Sequence, residues 1–520
     1  MEQKNFLFIT ADQWRVECLS VLGHPTVKTP NLDALAADGV LFRNHFAQCI
    51  PCGPSRASIF TGMYLQNHRS LENGTPLDAR HTNIALEFRK LGYDPTLVGY
   101  TDTTPDPRLY PPHDPRLKTY EGILPGFNCL VMSSENFPES WAQWLEERGY
   151  KVPENLRDLY YTSVEGYPGV EERGKTYAPA PYSKEESETA FVSDKAEKFL
   201  RNPGTRPWFL HISYLKPHGP YLAPEPYNRL YHLDNTPDFQ CKRASSLEEE
   251  AKQHPFLAFQ LEKNLNSGFY SHFVGIDPRD EKSVRQLRAT YYGLITEVDD
   301  NIGRIITLLK ETGQYENTVI IFTSDHGVHL GDHYLLGHGA YFDQDFHVPF
   351  IIRAPDGKRR QQRGCVIDAF TESIDIFPTI MDMFGADIPI QCDGRSLVPF
   401  LIGKTPEKFR TEVHWEYDFR YAGYLPPGKE PGIDFDECSL NVIRDEHYKY
   451  VYFAAMPQLL FDLKKDPEEL HNLAKYPAYT ATVLKYAQKM LSWRMANDER
   501  TLTYMLVGPK GVVKRPRSYK

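Results

Sequence analysis

Cys52 stands in "IPCGPSRASIFTG" (50–62), with Gly53 and Pro54 behind it and Arg56 one helical turn further on. Proline is favoured at the first position of a helix, so the run from Pro54 predicts a helix start. A thiol just ahead of that start lies at the positive end of the peptide dipoles, which favours anions and anionic nucleophiles. Arg56 then projects from the first turn towards the same point. Two other readings stand beside this one. "CIPC" (49–52) matches C-x-x-C, a redox or zinc pattern, but no second such pair completes a zinc site and the βαβ context of a redox domain is missing. A buried, inert cysteine is the other.

A second set of polar residues falls where strand-like runs stop. Asp12 and Gln13 follow "FLFIT" (6–10), Tyr100 closes "TLVGY" (96–100) with Asp102 just beyond, His218 follows "WFLHISYLKP", and Asp325 and His326 follow "TVIIFTS". In open α/β sheets ligands bind outside the carboxyl ends of the strands, so four segments would deliver side chains to one crevice. Two aspartates, an amide and an imidazole suit a divalent cation. Taken singly, each has a plainer reading as a cap or turn residue. Their coincidence at several strand ends is what favours the metal.

These residues need a parallel sheet to hold them, and the chain supplies its pattern. Apolar runs of strand length at 6–10, 96–100, 208–215 and 318–325 alternate with helical patterns, predicting a large mixed, mainly parallel α/β sheet flanked by helices. Thr29 and Pro30 open one expected helix that Gly39 closes, and Thr82 and Gly92 bracket another. The longest helical pattern, 281–313, ends just before the strand at 318. Pro- and Tyr-rich polar stretches near 103–182 and 221–280 read as insertions over one face. A composition shift near 403–412 divides a catalytic domain, 1–405, from a smaller C-terminal α+β subdomain, 406–520. Its basic tail, "VGPKGVVKRPRSYK", lacks periodicity and reads as disordered or as an arm on a neighbouring subunit.

The 520 residues carry 59 Lys and Arg against 69 Asp and Glu, a formal charge of −10, which disfavours broad contact with nucleic acid or anionic membrane. No segment reaches the roughly 18 apolar residues of a membrane span, and the start does not look like a secretory signal. A cytoplasmic protein is expected, its eight cysteines mostly free thiols.

"CGPSRASIFTG" resembles the C-x-P-x-R signature of the sulfatase family within the alkaline phosphatase superfamily, whose cysteine a maturation enzyme oxidises to formylglycine. The likeness continues through "FLFITADQ", "TPNLDALAADGVLFRNHFAQ", "NTVIIFTSDHG", "ESIDIFPTIMDMFG" and "LFDLKKDPEELHNLA". Gln13 and His326 in the metal set resemble the phosphonate monoester hydrolase branch, which also contains sulfatases. The resemblance implies an alkaline phosphatase-like fold and a divalent metal, Ca²⁺ or Mn²⁺ with Zn²⁺ as a further option, held by Asp12, Gln13, Asp325, His326 and the modified Cys52. It implies that Arg56 orients the nucleophile, that His218 stands near the leaving oxygen, and that Asn73 and Tyr100 contact the non-bridging oxygens. The hydrated aldehyde would attack through one hydroxyl and release the product when the second loses its proton.

Two residues depart from the branch. His338 stands where its members carry a lysine after "LLG", so leaving-group protonation would depend on pH differently. Asp102 occupies a place expected to be neutral or cationic; facing the crevice it would disfavour dianions, and facing away it would cap a turn. Hydrolysis of a small sulfate monoester such as an aryl sulfate is the first expectation, with phosphonate monoester or phosphodiester hydrolysis second, at the same site and compatible with it. A non-catalytic binder with an unmodified Cys52 is a third reading. Likeness to relatives and the basic tail lead us to expect a homo-oligomer, a dimer or tetramer.

Overall fold

The computed structural model describes residues 4–238, 243–266, 276–355, 362–420 and 433–514. Its centre is an eight-stranded sheet. In chain order the strands are β1 (Asn5–Ala11), β2 (Val40–Phe42), β3 (Pro95–Val98), β4 (Asn128–Val131), β5 (Phe209–Tyr214), β6 (Thr318–Thr323), β7 (Phe350–Arg353) and β8 (Cys365–Ile367). They lie side by side as β8-β2-β7-β6-β1-β5-β3-β4. β1 pairs in parallel with β5 and β6, and β7 runs antiparallel to both β6 and β2. This is the mixed, mainly parallel sheet that the alternation of runs predicts.

Why β1 sits centrally is visible in its side chains. A strand sends successive residues to opposite faces. Leu7 and Ile9 enter one apolar cluster, while Phe6 and Phe8 enter another on the opposite face. A strand buried on both faces must be apolar throughout, and "FLFI" is.

Helices cover both faces. The ones that bear on the site are α1 (Pro30–Ala37), α2 (Cys52–Thr61), α3 (Ile84–Lys90), α4 (Glu188–Arg201), α5 (Pro255–Asn266) and α6 (Glu281–Glu311). Three sequence expectations about them need correction. α2 begins at Cys52 itself rather than at Pro54, because Pro51 already occupies the N-cap. Asn83, not Thr82, caps α3: its side chain accepts from the Leu86 amide, whereas the Thr82 hydroxyl is bonded to Glu87. Thr29 precedes α1, but its hydroxyl binds Asp33, and the amides of Asn31 and Leu32 go to Asp299 of α6.

The stretch read as a first insertion supplies edge strand β4. The second contains α5; residues 239–242 and 267–275 lie outside the described residues. Beyond residue 405 an antiparallel sheet, β9 (Glu412–Asp418), β10 (Ser439–Asp445), β11 (Tyr448–Phe453) and β12 (Leu459–Asp462), carries helix α7 (Thr480–Ala496). It does not stand apart. The Glu416 amide of β9 donates to the Gln48 carbonyl at 2.8 Å, so this sheet braces the segment leading into α2. The tail, read as disordered or as an arm on a neighbouring subunit, forms a hairpin, β13 (Met505–Gly508) and β14 (Gly511–Lys514), which corrects the first of these; residues 515–520 lie outside the described residues. Among the described residues no helix is long and apolar enough to cross a membrane.

Candidate active site and metal centre

All ten residues of α2 are buried, and its first turn is held by neighbours rather than by a side-chain N-cap. The Gly53 amide donates to Asn73 Oδ1 at 2.8 Å. A Cβ at position 53 would lie 2.9 Å from that oxygen and 3.1 Å from the Asp102 carbonyl, which explains the glycine. The Ser55 hydroxyl donates to the Asp325 carbonyl, fastening the helix to the end of β6. Cys52 is thereby fixed in the crevice beyond the carboxyl ends of β1 and β6.

Four side chains converge there. Ligand atoms of Asp12, Cys52, Asp325 and His326 all lie within 4.8 Å of one another, and all four residues are buried. Cys52 Sγ is 3.2 Å from His326 Nε2 and 3.8 Å from Asp12 Oδ1. His326 Nδ1 faces the Gly327 carbonyl at 2.8 Å, an acceptor, so the proton resides on Nδ1 and Nε2 presents its lone pair. Hard carboxylate oxygens with one correctly oriented imidazole fit a divalent cation. Gln13 follows Asp12 with φ +62; its amide donates to Asp325 Oδ1 at 3.2 Å and its carbonyl accepts from Tyr291 of α6.

Arg56 is anchored on both aspartates. Its Nε donates to Asp325 Oδ2 and its Nη2 to Asp12 Oδ2, each at 2.9 Å, while Nη1 reaches the Tyr100 carbonyl and the Ser213 hydroxyl. The guanidinium thus organises the two carboxylates. The Tyr100 ring lies under Arg56 at 4.2 Å and its hydroxyl donates to Asp12. Asn73 spends its carbonyl oxygen on Gly53.

Asp102 faces inward, which settles the alternative raised by the sequence. It is buried with φ +49, its Oδ2 lies 3.7 Å from Arg56 Nε, and its Oδ1 has no hydrogen-bond partner. His338 is half-buried, its ring 4.6 Å from that of His326, and its ligand nitrogen belongs to the same cluster as Cys52. Its loop is held by Asp345, whose Oδ2 accepts from the Gly339 and Ala340 amides at 3.1 and 3.0 Å. His218 follows β5, the strand next to β1, with Nδ1 against the Gly219 carbonyl. Sequence reasoning missed Tyr291, Ser55 and Asp345, which touch the site through backbone groups and carry no motif.

The electrostatics overturn one sequence argument. Burial, then Asp12, Asp325 and Asp102, push the Cys52 thiol well above its ordinary range, and Arg56 offsets this only partly. Burial, reinforced by the neighbouring acidic groups, outweighs the helix end, so an unmodified Cys52 is a thiol rather than a thiolate nucleophile. Burial disfavours ionised Asp325, but Arg56 and His326 hold it below the usual carboxylate range. Asp102 moves the other way, raised by burial and by Glu121, Asp12 and Asp325 against Arg56.

The C-x-x-C reading finds no support in the geometry. Cys49 and Cys52 are both free, and Cys49 lies buried against Ser58 at 3.4 Å.

Comparison with known proteins agrees with this geometry. The sulfatase family profile matches residues 4–386, and the profile of the N-sulphoglucosamine sulphohydrolase C-terminal region matches 331–496. A multifunctional alkaline phosphatase superfamily protein of Trinickia caryophylli is 44% identical over 99% of this chain and 100% of its own. An arylsulfatase of Clostridium perfringens is 29% identical over 96% of each. Among solved structures, the phosphonate monoester hydrolase of Agrobacterium radiobacter superposes with a TM-score of 0.90 at 44% identity, covering 99% of this chain and 100% of that one. With the family profile spanning most of its length and the sheet and crevice in place, the chain belongs to the sulfatase family of the alkaline phosphatase superfamily.

Proposed function

We propose that the protein hydrolyses phosphonate monoesters and phosphodiesters at the crevice around Cys52. The observation that carries this reading is the 44% identity over essentially the whole length of a phosphonate monoester hydrolase, with a TM-score of 0.90. The order expected from the sequence, sulfate first, is therefore reversed. Sulfate monoester hydrolysis remains as a second activity of the same site, favoured by the family profile and the arylsulfatase relative.

In this reading Asp12, Gln13, Asp325, His326 and residue 52 hold a divalent cation, Ca²⁺, Mn²⁺ or Zn²⁺, which supplies Lewis-acid polarisation of the ester's anionic group when bound. Formylglycine, made from Cys52 by a maturation enzyme, supplies on hydration one hydroxyl for attack and a second that releases the product. Arg56 holds both aspartates in orientation. His218 and His338 hold protons at the leaving-oxygen side, and Asn73 fixes the start of α2 so that residue 52 faces the crevice.

The comparison of kcat/KM on 4-nitrophenyl phenylphosphonate and 4-nitrophenyl sulfate tests the order. We expect the phosphonate to be the better substrate; a large excess for the sulfate rejects it.

A second copy of the chain is the partner that suits the terminal hairpin. Leu506, Val507, Val512 and Val513 are exposed on it by 50, 85, 59 and 54%. An isolated two-stranded hairpin is marginal in water, so an apolar one needs cover.

A further inference from the structure

Resting on the reading that His218 serves the leaving oxygen, we propose that Lys216 is the positioning residue of that histidine, a buried ammonium that fixes the 216–220 turn.

The turn leaves β5 at Tyr214 and carries His218 on a short arc closed by the His218 amide donating to the Leu215 carbonyl at 3.0 Å. Lys216 folds back beneath it. Its Nζ donates to the His218 carbonyl at 3.1 Å and to the Pro220 carbonyl at 2.8 Å, and the residue is 5% exposed. Lysine is rarely buried without compensation. Here the acidic groups acting on it are Glu297 of α6, Glu188 of α4 and Glu135, all three themselves buried. The ammonium therefore ties together two carbonyls flanking the imidazole.

The ring is oriented as well as placed. His218 Nδ1 faces the Gly219 carbonyl at 2.5 Å. That oxygen can only accept, so Nδ1 keeps its proton in both states and the exchangeable proton belongs to Nε2. A general acid needs that arrangement: the imidazolium gives its Nε2 proton to the departing oxygen as the ester bond breaks, and remains neutral with Nδ1–H still bonded. Lys216 Nζ donates to backbone carbonyls, so its contribution is geometric.

General acid assistance matters most for poor leaving groups, and this separates positioning from mere structure. The test uses 4-nitrophenyl and phenyl esters of phenylphosphonic acid with wild type, Lys216→Met, Lys216→Arg, His218→Ala and the Met/Ala double variant. We expect His218→Ala to lower kcat/KM about 100-fold or more for phenyl but less than about 5-fold for 4-nitrophenyl. Lys216→Met should show the same steepening, the double variant should be no worse than His218→Ala, and Lys216→Arg should fall between wild type and Met. Equal losses on both esters, or additive losses in the double variant, overturn the inference. Where Lys216→Met fails to fold, Lys216→Arg decides alone, an unchanged ratio between the two esters counting against it. A His218→Ala enzyme with wild-type ratios overturns the role of His218 itself, and the inference with it.

Discussion

Arg56 Nη2 lies 2.9 Å from Asp12 Oδ2 while its Nε lies at the same distance from Asp325 Oδ2, so one buried guanidinium bridges aspartates delivered by two neighbouring strands. Removing one partner of a buried ion pair costs about 3–5 kcal/mol because charge is left uncompensated. Arg56→Ala should therefore destabilise the metal-free protein by about that amount, with Arg56→Lys intermediate since it keeps the charge but not the fork. Denaturant unfolding in the presence of a chelator measures both; equal stability of all three proteins contradicts the bridge.

Residue 52 should carry a carbonyl in active preparations. Intact mass of a peptide spanning Cys52 is expected to be lower by the difference between a thiol and a carbonyl group, and Cys52→Ala should lose more than about 1,000-fold in kcat. Full activity with an untouched thiol would end the formylglycine reading.

A cation that binds only the folded crevice stabilises it by mass action, about 2.7 kcal/mol at a hundredfold excess over Kd. Thermal unfolding with Ca²⁺, Mn²⁺ or Zn²⁺ added to chelator-treated protein should show a raised midpoint for at least one ion. Asp325→Ala should abolish the increase while leaving a folded chain. An identical increase in that variant places the ion elsewhere.

Asp102 lends itself to a pH measurement. Its folded pKa is raised by burial and neighbouring acids. A raised value means that its stability contribution is present below the ordinary carboxylate pKa, about 3.9, and is lost as pH rises through the folded value. In metal-free protein Asp102→Asn should thus gain stability over wild type as pH increases from 5 to 8. A difference that shrinks over that range refutes the assignment.

Ending the chain at Tyr504 removes the exposed hairpin. Light scattering should then report a smaller assembly than the full chain forms, with secondary structure retained. Identical masses mean that the hairpin does not join subunits.

The sheet was legible because β1, β5 and β6 are buried on both faces and so must be unbroken apolar runs, and because their ends carry polar residues that a core cannot hold. The position of Asp12, Asp325 and His326 in one crevice followed from that rule, while Cys52 joined them only through the family resemblance. Less legible was what each donor would bind. Arg56, Tyr100 and Asn73 are committed to protein partners distant in sequence, and no spacing rule reveals that the ring of Tyr100 lies under a guanidinium. Asn83 displaced Thr82 as the cap because two adjacent residues offered the same chemistry and only the backbone turn chose between them. The tail hairpin escaped notice because its valines occur in a segment read by its lysines and arginines.

Cys52 is only 5% exposed, and the segment leading into it is braced by the Glu416 amide of β9 donating to the Gln48 carbonyl. Any oxidation of this cysteine by another protein consequently has a deadline. The strand that braces this segment leaves the ribosome long after residue 52, so the nascent chain offers an interval in which the thiol is not yet buried, and folding ends it. Purified protein carrying a thiol should resist later conversion unless it is first unfolded, which makes the order of synthesis and folding part of how this site is made.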